Sequence, residues 1–332
     1  MRKRYDVIGI GNAIVDVLAR AEDDFLVRHG MAKGAMALID EARAEAIYAA
    51  MGPAIEISGG SAANTIVGVA AFGGKAAFIG TVKDDTLGRV FAHDIRAAGV
   101  GFSTSPFQNG PSTARSYILV TPDGERTMNT YLGAAQLLSA ADVPEAEVAD
   151  AKVTYLEGYL WDPQNAKDAF VKAAAIAHRA QRTVALTLSD SFCVDRYRDE
   201  FRALVENGTV DLLFTNESEL KSLYQTADFD SAVAALRERA KLAVVTRSEK
   251  GALVVAPQAI EAIEAFPVED VVDTTGAGDL FAAGFLFGLA RGMTHADAAR
   301  LGTIAAAEVI GHIGPRPATS LRTLATQAGY KL

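Results

Sequence analysis

The sequence predicts an α/β protein: a mostly parallel central sheet with helices on both faces, three layers in all, and a small β-sheet lid. Two observations carry that expectation. Short, continuously apolar runs recur along the chain, and Ala-rich stretches with helical spacing lie between most of them. One stretch breaks the rhythm and reads as a β-hairpin. Parallel neighbours need long crossover connections, usually helices, so this alternation builds a sheet buried on both faces.

Taken in order, the first strand is Tyr5 to Ile10, an apolar run punctuated by Gly9 and Gly11. The segment from Asp16 to about Asp40 is poor in helix signals and is expected to add strands to the small sheet. A helix is expected over Ala62 to Phe72 and a strand over Ala76 to Gly80. Ser116 to Thr121, the turn Pro122-Asp-Gly124 and Glu125 to Met128 form the hairpin. Further strands follow at Val153 to Leu156, Val184 to Leu188, Leu212 to Thr215, Ala243 to Thr246 and Ala252 to Val255, with helices at Ala166 to Arg179 and Asp230 to Ala240. The expected division is a large domain from 1–15, 41–112 and 134–332, and a lid from 16–40 and 113–133. No repeat, low-complexity tract or linker is visible.

At 332 residues, half of them apolar and 22% charged, the chain is long enough to bury a sizeable core. The net charge of -9 argues against nucleic-acid or anionic-membrane partners, which need clustered Lys and Arg, and the basic start Arg2 to Arg4 is too short to reverse it. No apolar run approaches the roughly 20 residues that span a bilayer, and the start passes from Arg4 into a strand rather than a signal core. A soluble, cytoplasmic protein is expected. Cys193 is the only cysteine, which excludes an intrachain disulfide and a cysteine zinc site. The five histidines are scattered without metal-site spacing, and the two Asn-x-Ser/Thr matches, at Asn207 and Asn216, mean little without secretion.

Chemistry is concentrated in Val271-Val-Asp-Thr-Thr-Gly-Ala-Gly-Asp279 and the long apolar stretch behind it. A glycine-rich turn here feeds a helix, so the amides of Gly276, Ala277 and Gly278 converge where the helix dipole favours an anion. Asp279, in the first helical turn, is placed to accept a hydroxyl proton. A helix-start carboxylate with packing glycines is the purely structural alternative.

That string resembles the nucleotide-site motif of the ribokinase and adenosine kinase family of carbohydrate and nucleoside kinases, and the resemblance extends over nearly the whole chain. It implies a ribokinase-like fold, ATP and Mg²⁺ as phosphate donor and metal, an anion hole at Gly276, Ala277 and Gly278, and Asp279 as the base. Ser58-Gly-Gly-Ser-Ala-Ala-Asn64 resembles the family's N-terminal motif: Gly59 and Gly60 let a sugar approach the backbone, and Ser61 and Asn64 face its hydroxyls. In Gly9-Ile-Gly-Asn-Ala-Ile-Val-Asp16, Asn12 and Asp16 follow the first strand, and a carboxylate suits a cis-diol. A dinucleotide fingerprint fails there, because position 14 is Ile and the acid follows too soon. Gly73-Gly-Lys75 followed by Ala76 is no phosphate-binding P-loop either.

For the nucleotide side, Asn216-Glu-Ser-Glu219 resembles the family's Asn-x-x-Glu motif, with Glu219 acting on Mg²⁺ through water; an N-cap with acids in the first turn is the alternative. Thr246 and Gly251 match positions near ATP phosphates, Arg126 matches a lid arginine that reaches the transferred phosphate, and Asp273 and Thr275 match a site for a monovalent cation such as K⁺. Ser61, where ribokinases carry Lys, and Gly11-Asn12 lean towards adenosine kinase. Met36, Leu38 and Met128 are expected to form an apolar wall for a purine. After Gly158, Tyr159 or Trp161 substitutes for the expected stacking aromatic, or the base differs. The expected partner is a small nucleoside or sugar, and the chain a monomer or homodimer. A non-catalytic ligand-binding homologue remains the alternative from another class.

Overall fold

Apolar runs bounded by glycines and polar turns become fourteen strands among residues 5–332, which the computed structural model describes; Arg2 to Arg4 lie outside the described residues. They are β1 (Val7–Ile10), β2 (Ile14–Arg20), β3 (Met36–Leu38), β4 (Ile55–Gly59), β5 (Ala76–Ile79), β6 (Gly101–Phe102), β7 (Ala114–Val120) and β8 (Arg126–Tyr131). β9 (Val153–Glu157), β10 (Thr183–Thr187), β11 (Leu212–Asn216), β12 (Ala243–Thr246), β13 (Ala252–Ala256) and β14 (Ala259–Ile263) complete the set.

Nine strands form one sheet in the order β14-β13-β12-β11-β10-β9-β1-β5-β6. From β12 to β6 every pairing is parallel, while β13 and β14 close one edge antiparallel. Side chains alternate across each strand, so Val7 joins one buried cluster and Ile8 the other. Helices Ser61–Ala71, Ala277–Ala290 and His295–Ile310 cover the first face through Ile66, Phe281 and Leu301. Helices Gln164–Arg179, Ser191–Glu206, Glu217–Tyr224 and Phe229–Arg239 cover the second through Phe170, Phe201, Leu220 and Leu236. This is the three-layer α/β/α fold the alternation predicts.

From β1 the chain builds towards β5 and β6, then returns to β9 and proceeds the other way to β12. The order therefore reverses between β1 and β9. In open parallel sheets the crevice outside the carboxyl ends at such a reversal is where ligands bind, and here Asn12 and Glu157 stand at that edge.

The second sheet has the order β3-β8-β7-β2-β4. β7 and β8 are the expected hairpin, antiparallel with Val120 opposite Arg126, and β2 and β3 come from the helix-poor segment. That segment also contains a short helix, Asp23–Arg28. β4 departs from the expected partition: it lies within 41–112, yet pairs with β2 in the small sheet, with Gly59 opposite Ile14. Ile55-Glu-Ile-Ser58 alternates apolar and polar residues at the strand period, but that pattern does not say which sheet it joins, and the pairing with β2 decides it.

Candidate active site

The helix Ala277–Ala290 begins after Gly276, whose φ of +80° turns the chain into it. A Cβ at Gly276 would stand 2.8 Å from Pro315, so both conformation and space require glycine. Gly278 is different: a Cβ there would meet nothing within 4 Å. Helix geometry alone does not demand this second glycine. Asp279 falls in the first turn, where Ser61 Oγ donates to Oδ1 at 2.6 Å and Asn64 Nδ2 to Oδ2 at 3.2 Å. Burial pushes its pKa up to about 6, against the lowering effect of those donors and of Arg316. A carboxylate poised near neutrality at a helix N-terminus is suited to take a proton from a hydroxyl that attacks an anion held there.

Opposite it, Ser58-Gly-Gly-Ser61 links β4 to the helix Ser61–Ala71. The Asp16 carboxylate lies directly over Gly59, where a Cβ would overlap it, and Gly60 has φ +96° with room for no Cβ, which would stand 2.4 Å from the Asn12 carbonyl oxygen. Asp16 is 7% exposed and, among the described residues, receives no hydrogen bond. Burial and the nearby Asp279 raise its pKa to about 7, opposed by Arg316 and Arg126. A buried carboxylate without donors is built to receive them from a ligand. Asn12 and Asn64 are already engaged: Asn12 Nδ2 donates to Glu157 Oε1 at 2.7 Å and Asn64 to Asp279, leaving each Oδ1 buried without a partner.

A cavity of about 290 Å³ opens at the carboxyl ends of the parallel strands. It gathers Ser61, Tyr159, Asn216, Glu219, Thr246, Gly276, Ala277, Gly278 and Asp279 from the expected set, together with Thr187, Ser189, Phe214, Thr215, Thr274 and Phe281. Asn216 and Glu219 form a complete capping box: Asn216 Oδ1 accepts from Glu219 N at 2.9 Å, and Glu219 accepts from Asn216 N and Nδ2 at 3.0 and 2.6 Å. The structural alternative for this motif is therefore realised, and Glu219 still faces the cavity. Burial lifts its pKa to about 7. Gly251 lies outside the lining; its φ of +76° shapes the turn into β13, against the Ile263 carbonyl. Of the two aromatics after Gly158, Tyr159 borders the cavity. Trp161 is buried against Phe170 and Phe201 and donates to Glu200 at 2.9 Å, so it is unavailable for stacking.

The small sheet presents one face to this region. Its register aligns Leu38, Thr130, Ser116, Asp16 and Ile57 in one row, and Met36, Met128, Ile118, Leu18 and Ile55 in the next row of the same face. Met36 and Leu38 are exposed there, while Ser116 and Thr130 hydroxyls bond at 2.8 Å. Arg126, at the near end of β8, pairs with Oδ2 of the buried Asp273 at 2.6 Å, its own side chain 10% exposed. Asp273 also accepts from Thr275 N, Thr275 Oγ1 and Gly314 N at 3.0, 2.7 and 2.9 Å.

The family model described as pfkB family carbohydrate kinase matches residues 55–321. The chain belongs to that family. It is similar over 98% of its length to the adenosine kinase of Sinorhizobium meliloti, at 57% identity and a TM-score of 0.92, covering all of that chain. A probable sugar kinase from Rhizobium etli is 54% identical over 98% of this chain and 99% of its own, with a TM-score of 0.93. The probable chloroplastic fructokinase-6 of Arabidopsis thaliana is 31% identical over 71% of this chain; the match spans 63% of that protein's length. Members of the family are phosphotransferases with an alcohol acceptor.

In this pfkB-family chain the donor residues fit ATP and Mg²⁺ in part. Gly276, Ala277 and Gly278 border the cavity and a Cβ at Gly278 would meet nothing within 4 Å, although the Ala277 amide already donates to the Thr274 carbonyl at 3.2 Å; Glu219 retains lone pairs for a hydrated ion. The expected monovalent-cation site at Asp273 and Thr275 does not fit: Arg126 and three backbone or hydroxyl donors already saturate that carboxylate. Among the described residues, no three His, Cys, Asp or Glu side chains gather to hold a metal, and no helix is long and apolar enough to cross a membrane.

Two residues escaped the sequence reading. Glu157, 1% exposed, accepts from Asn12 N and from Ala62 N at 3.2 and 2.8 Å, tying the end of β1 to the helix that carries Ser61 and Asn64. Burial pushes it up to about 7. An acid closing an apolar strand at the carboxyl edge of a parallel sheet is the signal that would have found it. Arg316, in Gly314-Pro-Arg-Pro317, carries no such signal.

Proposed function

We propose that this protein is an ATP-dependent kinase that transfers the γ-phosphate to the 5'-hydroxyl of adenosine, yielding AMP and ADP. The observation that carries the reading is the Asp279 carboxylate, fixed by Ser61 and Asn64 beside the amides at the start of the helix and open to the cavity. In this reading Asp279 takes the proton of the acceptor hydroxyl as its oxygen attacks phosphorus in line, and the phosphorus–oxygen bond to ADP breaks. The helix start at Gly276, Ala277 and Gly278 carries the charge on the transferred group. Glu219 would hold hydrated Mg²⁺, which when bound would neutralise phosphate charge. Asp16 receives the ribose diol over Gly59, and Tyr159 borders the acceptor. Thr246 serves the phosphates, whereas Gly251 acts through the turn it permits.

Adenosine is favoured by the exposed Met36 and Leu38 and the neighbouring Met128, which share a sheet face with Asp16, and by the similarity to the Sinorhizobium adenosine kinase. A free sugar is the second reading, favoured by the polar Ser116–Thr130 pair in the row with Asp16 and by the sugar-kinase relatives. ATP consumption with Mg²⁺ against adenosine, inosine, guanosine, ribose and fructose separates them. Selective turnover of adenosine supports the first reading. Turnover of a sugar alone removes the purine wall from the account, and silence across the panel overturns both.

A further inference from the structure

We propose that Arg316 is a positioning residue of the acceptor site: its guanidinium, hydrogen-bonded to Ser58 at the start of the Gly59-Gly60 turn, favours the ionised forms of the diol-binding Asp16 and the base Asp279. This rests on the reading of Asp279 as the base and adds a residue to it.

The guanidinium is held from behind. Arg316 Nη2 donates to the carbonyl and hydroxyl of Ser58 at 2.6 and 3.1 Å. Ser58 is fully buried, and its N–H and O–H donate to Asp94 Oδ2 at 2.8 and 2.5 Å. Ser58 immediately precedes the glycine over which Asp16 lies. The backbone of Arg316 is fixed from the other side, since Gly314 N bonds Asp273 and Pro315 packs against Gly276. Arg316 is thus anchored at once to the sugar-side turn and to the anion-hole loop. Its Nε is buried without a partner, and Arg316 makes no direct ion pair among the described residues.

Charge explains why an arginine stands there. Asp16 and Asp279 share a desolvated pocket, and the charge of Asp279 disfavours ionisation of Asp16. The groups facing Asp279 are the neutral donors Ser61 and Asn64, then Tyr155 and Glu157 of β9, Tyr159 beyond it, Asp16 of β2, and Arg316. Facing Asp16 there is also Arg126, already paired with Asp273. Arg316 is therefore the one cation in this set whose charge no direct carboxylate contact consumes. Burial lowers its pKa to about 10, which still leaves it charged at neutral pH.

The test is the pH dependence of kcat/KM for wild type, Arg316→Gln, Arg316→Lys and Asp94→Asn, with folding checked by thermal melts. The acid limb belongs to the coupled carboxylates, and the base must be ionised, so losing a nearby positive charge moves the limb to higher pH. Arg316→Gln is expected to shift it by about one unit or more, and Arg316→Lys to restore its position. Asp94→Asn, which removes the anion behind the guanidinium, shifts it the opposite way and keeps the proposal testable should Arg316→Gln not fold. Uniformly lower rates with unmoved limbs would mean a structural role and overturn the proposal. Asp279→Asn measured in parallel separates the two claims: near-normal turnover there sinks the base itself, whereas an inactive Asp279→Asn with unmoved limbs sinks Arg316 alone.

Discussion

Asp279 is held in a state that costs stability and serves chemistry: burial lifts its pKa to about 6 while two neutral donors keep it oriented. Asp279→Asn should reduce kcat about a hundredfold or more and, by removing a desolvated charge, stabilise the apoprotein by about 1 kcal/mol. Steady-state kinetics and denaturant unfolding measure both. The two anion-hole glycines should part company. Gly276→Ala forces φ +80° on a side chain that meets Pro315, an expected loss of about 1–3 kcal/mol. Gly278→Ala has open space and helical backbone, so stability should hold or rise while kcat falls about tenfold or more. Equal stability losses in both variants would make the second glycine structural. At this scale the sequence was legible where partners are neighbours in a motif, as from Asp273 to Asp279. It was silent on Arg316, whose acceptor Ser58 lies 258 positions away, and on Glu157, 145 positions from Asn12.

The hairpin of the small sheet is fastened to the catalytic loop by Arg126, which pairs with Asp273 and donates to Thr275 Oγ1 at 3.5 Å. Arg126→Ala should cost about 3 kcal/mol, at the low end for a broken buried pair because Thr275 and Gly314 still donate to Asp273. Hydrogen exchange should then accelerate across β7 and β8 and not across β9 to β12; unchanged exchange in the hairpin would deny the fastening. Elements were legible in proportion to how self-contained their signal is. Strands β9 to β12 are buried on both faces and stand out as apolar runs, and the hairpin announces itself through Pro122-Asp-Gly124. β3 has three exposed residues and β4 takes its place only by pairing with β2, so the partner of neither was visible locally.

Across the molecule, four carboxylates, Asp16, Glu157, Glu219 and Asp279, are raised to about 7, 7, 7 and 6, in every case chiefly by burial. A raised folded-state pKa means that the folded protein binds more protons than the unfolded chain between the ordinary carboxylate range and about 7. Their ionisation therefore destabilises the fold as pH climbs through that window. The Tm of the apoprotein should rise by a few degrees from pH 8 to about pH 6, and ATP with acceptor should flatten the dependence. Thermal melts showing a steady fall over the same range would contradict it. The layered architecture itself followed from alternation of strand and helix, because a parallel sheet admits few other arrangements.

The most direct measurement is turnover of ATP and adenosine by wild type and Asp279→Asn in one assay with Mg²⁺, with the folding of both confirmed by their melts. The account predicts AMP and ADP in equal amounts from the wild type, and a folded, ATP-binding variant with turnover reduced about a hundredfold or more. Comparable turnover by the two proteins would contradict the central claim that Asp279 is the base of a phosphotransferase.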